Sequence, residues 1–126
     1  QAINRFYERF FDDEFAPVRT QKHIASPAKN SACKRINMFL RWMVRKDEAG
    51  VDFGIWNKIQ PHQLVCPLDV HVLRTAESLQ LIQPGPTNWK KALELTDTLR
   101  ALDPHDPVKY DFALYGMGIE EKTIWK

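Results

Sequence analysis

Apolar residues recur along most of this chain in steps of three and four, the spacing that gathers side chains on one face of an α-helix. Ile3, Phe6, Phe10 and Phe11 predict a first helix over residues 2–15, stopped near Pro17, with its aromatic stripe in the core. Residues 17–30 read as irregular or short helical structure, with Ser26-Pro27 as a turn and Asn30 or Ser31 as the N-cap of the next helix. From Ser31 to Lys46, the residues Ala32, Ile36, Phe39, Leu40 and Met43 mark the buried face of this central helix. Nearly opposite that face, Lys34, Arg41 and Arg45 fall within about 40° of one another and form one polar stripe.

Residues 47–54 read as a loop, and Ile55, Trp56, Ile59 and Leu64 suggest short helical pieces broken by Pro61. Asp69 is placed to cap a helix from Val70 to Leu81 that buries Val72, Leu73, Ala76 and Leu79. Gln83-Pro84-Gly85-Pro86 ends it, and a new helix beginning at Thr87 or Asn88 carries Trp89, Leu93, Leu95 and Leu99 up to Asp103-Pro104. Asp106-Pro107 opens a last helix through Lys109, Phe112, Ala113 and Tyr115 to Gly116 or Gly118. No stretch alternates as a strand would and no repeat is visible, so the expected fold class is all-α, one domain over residues 1–126.

A length of 126 residues, 44% apolar and 27% charged, fits one globular domain. Lys or Arg interrupts every apolar stretch well before the roughly 20 residues of a membrane span, so no membrane partner is expected and a cytoplasmic location is. With two cysteines, Cys33 and Cys66, a disulfide scaffold or a structural zinc site is excluded, and both are expected to be small buried residues. The net charge of +2 is unevenly spread. Residues 17–46 hold Arg19, Lys22, Lys29, Lys34, Arg35, Arg41, Arg45 and Lys46 with no acidic side chain, a local +8 against −2 before it and −4 after it. Such a segment attracts polyanions, double-stranded DNA among them, by releasing their counterions.

Two segments carry a resemblance: Asn30-Ser-Ala-Cys-Lys34 leading into an apolar helix, and Pro67-Leu-Asp69-Val-His71-Val-Leu-Arg74 leading into the next. Together they resemble the helix-hairpin-helix (HhH-GPD) DNA glycosylase superfamily, in its 8-oxoguanine glycosylase/lyase branch. Nearly the whole chain looks like a family of uncharacterised bacterial proteins close to that superfamily. The resemblance implies an all-α glycosylase domain, with Lys34 and Asp69 in the positions of the catalytic lysine and aspartate. It also implies that this is the C-terminal part of a longer chain, lacking an N-terminal helical subdomain, in a nucleoid-associated protein. The four-cysteine iron–sulfur motif of another branch is absent, and no cofactor or metal is expected. The Gly-x-Gly of the hairpin, whose amides hold a DNA phosphate in that superfamily, is replaced by Asn30 and Ala32; Asn tolerates a left-handed backbone and Ala does so poorly.

The chemistry implied is DNA-repair N-glycosylase and AP-lyase action on a damaged base, with an oxidised purine as the implied substrate. Lys34 would attack the sugar as a neutral amine, favoured by its place in the first helical turn and by neighbouring Arg35 and Arg41. Asp69 would stabilise charge on the sugar, His71 would play a supporting part, and Met38 and Trp42 are candidates to line a base pocket. Lys29, Asn30, Arg35, Arg41 and Arg45 would contact nucleic acid. Two other readings fit the same residues. One is a non-catalytic helical module whose basic segment 17–46 grips phosphates; the other makes the basic stripe a docking surface for an acidic subdomain or another protein.

Overall fold

The computed structural model describes residues 1–12, 14 and 16–124, with the last four defined through their backbone alone. Among them five α-helices follow one another: α1 (Ala2–Phe10), α2 (Lys34–Val44), α3 (Val70–Ser78), α4 (Trp89–Leu102) and α5 (Asp111–Ile124). Single 3₁₀ turns lie between them at Val18–His23, Pro27–Lys29, Pro61–Gln63 and Pro107–Tyr110, and the described residues hold no strand beyond one isolated bridge between Lys46 and Phe53. The protein is all-α.

Helices α3 and α4 start where the sequence places them because polar caps fix them, whereas α2 starts at Lys34 after Cys33, without a side-chain cap, and not at the expected Asn30 or Ser31. Asp69 accepts the Val72 amide at 2.9 Å and Asn88 the Lys91 amide at 2.9 Å, each satisfying a donor that the first turn leaves without a partner. The Pro-Gly-Pro loop between α3 and α4 is tied to both helices. Glu77 accepts the Gly85 amide, and Glu94 accepts the Gln83 amide.

The core lies among α3, α4, α5 and the segment before α3, where Cys66, Leu68, Val72, Ala76, Ala92, Leu95, Leu99 and Leu114 are buried together. Helices α3 and α5 cross closely because Gly118 has no side chain. A Cβ there would sit 2.8 Å from the Thr75 hydroxyl and 3.0 Å from the His71 carbonyl. Thr96, though polar, fits this core because it takes the Cys66 amide at 2.9 Å and gives its proton to the Ala92 carbonyl.

Three expectations are corrected. Helix α1 ends at Phe10 and has no buried residue, so its aromatic stripe is not core; Asp13 and Phe15 of the expected span lie outside the described residues. Phe6 and Phe10 pack on one another, and α1 is held by polar contacts instead, with Asn4 Oδ1 accepting the Ala28 amide and the Ser26 hydroxyl. Leu79 is exposed because α3 stops at Ser78 and the chain turns away through a left-handed Gln80. The largest correction is α2, which is turned over: its buried residues are Asn37, Arg41 and Val44, whereas Phe39 is exposed and Ile36, Leu40 and Met43 only partly covered.

Candidate functional site

Helix α2 begins after a tight hairpin. Asn30 (φ 56°) and Cys33 (φ 51°) take left-handed backbone, so the hairpin demands that conformation of Asn30 as expected but of Cys33 and not of Ala32. Its amides are largely engaged within the chain. Asn30 donates to the Pro27 carbonyl, Ser31 to the Ser26 carbonyl and Cys33 to the Ser31 hydroxyl. Asn30 also binds the start of α4, through its carbonyl to the Trp89 amide and its side-chain oxygen to the Lys90 amide. Buried Cys33 and Cys66 are free thiols; burial raises the pKa of both, that of Cys33 against a Ser31 hydrogen bond that lowers it.

This geometry delivers Lys34, the first residue of α2, to Asp69. Residues 35 positions apart meet at 2.8 Å, Lys34 Nζ to Asp69 Oδ2, while Asp69 Oδ1 caps α3. Capping therefore aims the carboxylate, and cap and ion pair use different oxygens. Burial raises the Asp69 pKa, but the Lys34 hydrogen bond and the Val72 amide outweigh it and hold the carboxyl below its ordinary range. The lysine side chain is 46% exposed and the aspartate 16%, so the pair opens to solvent from the lysine side.

Both line a cleft of about 220 Å³ whose walls include Met38, Phe112 and Tyr115. Met38 thus lies where a base-pocket residue was expected, and Trp42 does not line it. His71 is outside the lining, but its ring meets the Tyr115 ring edge-on at 5.9 Å, so it supports the wall from behind. Phe112 and Tyr115 were read from the sequence only as apolar helix positions. Their spacing of three on α5 was the signal that they share a face.

Arg41 and Arg45, expected on the surface as nucleic-acid contacts, are instead inside. Arg41 is 1% exposed, bound to Asp111 and, at 3.4 Å, to Asp52, with its guanidinium 3.8 Å from the centre of the Phe112 ring. Arg45 grips Asp106 with two hydrogen bonds of 2.8 and 2.9 Å and also reaches Asp52. With Asp47 3.7 Å from Arg45, two cations thus meet four carboxylates, and with all six groups ionised the cluster would carry 2 − 4 = −2. Burial pushes Asp111 up to about 6, against the opposing pull of Arg41, the Phe112 amide and Arg45. Burial likewise raises Asp52 against both arginines. These arginines pin α2 to the loop after it and to the start of α5, out of reach of a phosphate. Arg41 is therefore also removed from the cations expected to favour a neutral Lys34, whose nearest charge is Asp69.

The remaining expected contacts stay at the surface. Lys29 donates to the Tyr7 hydroxyl at 2.7 Å and lies over its ring, Asn30 is exposed at the hairpin, and Arg35 is exposed beside Lys34.

A family model described as "Protein of unknown function (DUF2400)" matches residues 1–120. The chain belongs to the DUF2400 family. No curated protein and no solved structure matches it. In this DUF2400 chain the groups able to do chemistry together are an accessible amine, a fixed carboxylate and an aromatic-walled cleft. Among the described residues no group of three or more His, Cys, Asp or Glu side chains could hold a metal, and no helix is long and apolar enough to cross a membrane.

Proposed function

We propose that the protein is an intracellular, nucleoid-associated DNA-repair enzyme of the helix-hairpin-helix glycosylase type, an N-glycosylase and AP lyase using Lys34 and Asp69. The observation that carries this reading is their meeting at 2.8 Å on the wall of one cleft. On opposite surfaces they could not serve one sugar ring. The cleft has room for a single unstacked base or sugar, and Met38, Phe112 and Tyr115 offer faces against which a ring packs.

In the resting pair Lys34 Nζ donates a hydrogen bond to Asp69. DNA entering the cleft separates the two, and to act as a nucleophile Lys34 gives up a proton to solvent. The free amine attacks C1′, the bond between C1′ and the base nitrogen breaks, and the base leaves with the bonding electrons and takes up a proton. Asp69, ionised throughout, stabilises the positive charge that develops on the sugar. Opening of the ring leaves a Schiff base, and loss of a C2′ proton expels the 3′ phosphate by β-elimination. Lys29, Asn30 and Arg35, all exposed, would receive backbone phosphates.

A purely phosphate-gripping module is less well supported, because Arg41 and Arg45 already have carboxylate partners. The test is base release and strand cleavage on duplexes carrying 8-oxoguanine, uracil or an abasic site. Loss of both activities in Lys34→Ala, with loss of base release in Asp69→Asn, is the expected result. Binding without either activity on any duplex, weakened equally by Lys29→Ala and Lys34→Ala, would leave a binding module.

A further inference from the structure

The face of α2 assigned to the core by its periodicity lines an open groove of about 750 Å³ between α1 and α2. Its apolar surface is built from Ile3, Phe6, Ile36, Leu40, Phe39 and Trp56, the last two meeting edge-on with ring centres 5.6 Å apart. Phe6, Phe39 and Trp56 are 48%, 44% and 43% exposed, a contiguous patch that scattered surface residues do not make. Lys22, His23, Lys34 and Arg35 also line the groove, and no carboxylate does. Lys22 and Arg35 make no salt bridge with any described residue. The groove is thus apolar in its lining and positive among its polar groups.

We infer that this groove docks an amphipathic α-helix of a partner protein, with apolar residues at i, i+3 or i+4, and i+7 flanked by Asp or Glu. Charge complementarity sets the sign of the flanks. The absence of a sheet edge among the described residues sets the conformation: an extended peptide buried here would leave its amides and carbonyls without partners, whereas a helix satisfies its own. A second copy of this chain docking groove to groove would oppose like charges. Single-stranded nucleic acid would stack on Phe6, Phe39 and Trp56 but would leave the aliphatic lining, Ile3, Ile24, Ile36, Leu40 and Ile59, without an apolar partner, which a helix supplies. The groove borders the glycosylase site and shares Lys34 and Arg35 with it, but docking needs neither Asp69 nor a neutral Lys34.

The experiment is selection of a phage-displayed library of helix-forming peptides on the intact chain, with counter-selection on Phe39→Asp. Phe39 is exposed, so this variant is expected to keep its fold, and circular dichroism checks it. Enrichment of acidic peptides with helical apolar spacing, each weakened about tenfold or more by Trp56→Ala and by Lys22→Glu, is expected. The inference is overturned if groove-dependent binders are basic or uncharged, or if no binder depends on Phe39. It is also overturned if an oligonucleotide or a second copy, read by light scattering, occupies the groove in preference. Base release and strand cleavage on damaged DNA, measured in the same groove variants, report separately on the Lys34 and Asp69 reading.

Discussion

The two ends of α2 treat cationic side chains in opposite ways. At its start Lys34 faces one aspartate across an open cleft; further along, Arg41 and Arg45 hold Asp52 and Asp111 in the interior and Asp47 and Asp106 at its edge. Helical spacing puts all three cations on one stripe, and the stripe alone does not say which are available. Partners decide it. Where the packed helices bring carboxylates from the following loop and the start of α5, the cations become structure. Where the helix begins at a cleft, the cation stays accessible and reactive chemistry becomes possible.

Breaking the buried end has the largest expected effect. Arg41→Ala strands Asp111 in the interior and leaves Asp52 to Arg45 alone, and is expected to destabilise the protein by about 3–5 kcal/mol, whereas Lys34→Ala changes stability by about 1 kcal/mol or less. Urea unfolding of the two variants checks the contrast, and equal losses would erase the distinction between the two ends. Next in size is Gly118→Ala. The crossing of α3 and α5 positions Asp69 and Asp111 together, and the added methyl meets the Thr75 hydroxyl and the His71 carbonyl, so a loss of about 1–3 kcal/mol is expected from the same measurement.

Acid sharpens the comparison further, because the two carboxylates respond with opposite signs. Asp69 sits below its ordinary value, so its contribution is complete above about pH 4 and is lost as pH falls through its folded value. Asp111 sits at about 6 against an ordinary value of 3.8, so the folded protein holds a proton the unfolded chain has released, and its contribution falls as pH rises through that window. Unfolding midpoints in urea from pH 3 to 7 are expected to lose their slope between about pH 4 and 6 in Asp111→Asn and to change only at the acid end in Asp69→Asn. A slope in that window unchanged by Asp111→Asn would place the titration elsewhere. The smallest effect separates cap from charge. Asp69→Asn keeps an acceptor for the Val72 amide and is expected to cost less than the roughly 1 kcal/mol that Asp69→Ala loses, while both abolish base release.

Much of this was legible in sequence where local chemistry decides it. Asp69 and Asn88 cap helices because a short acceptor before an apolar run satisfies the first amides, and proline-rich loops stop helices wherever they fall. Lys34 and Asp69 were singled out together through the resemblance, but the ion pair between them was not read from the sequence; the hairpin and the cap bring it about. What periodicity could not tell was which way α2 faces. A strongly amphipathic helix normally buries its apolar side, and here that side lines a groove while the guanidinium groups go inward. The reason lies far away in sequence, in Asp106 and Asp111, whose positions follow from the start of α5 and not from any pattern within residues 31–46. Helix α1 misled for a related reason: its aromatic spacing is real, but the described chain covers it only in part, leaving Phe6 and Phe10 exposed.

The most direct test of the central division, a reactive Lys34 and structural arginines, is borohydride trapping of the intact chain on an abasic-site duplex followed by mass mapping of the adduct. A reduced adduct on the peptide carrying Lys34, abolished by Lys34→Ala and retained in Lys29→Ala, is the expected result. An adduct on another lysine, or an undiminished yield from Lys34→Ala, would contradict it.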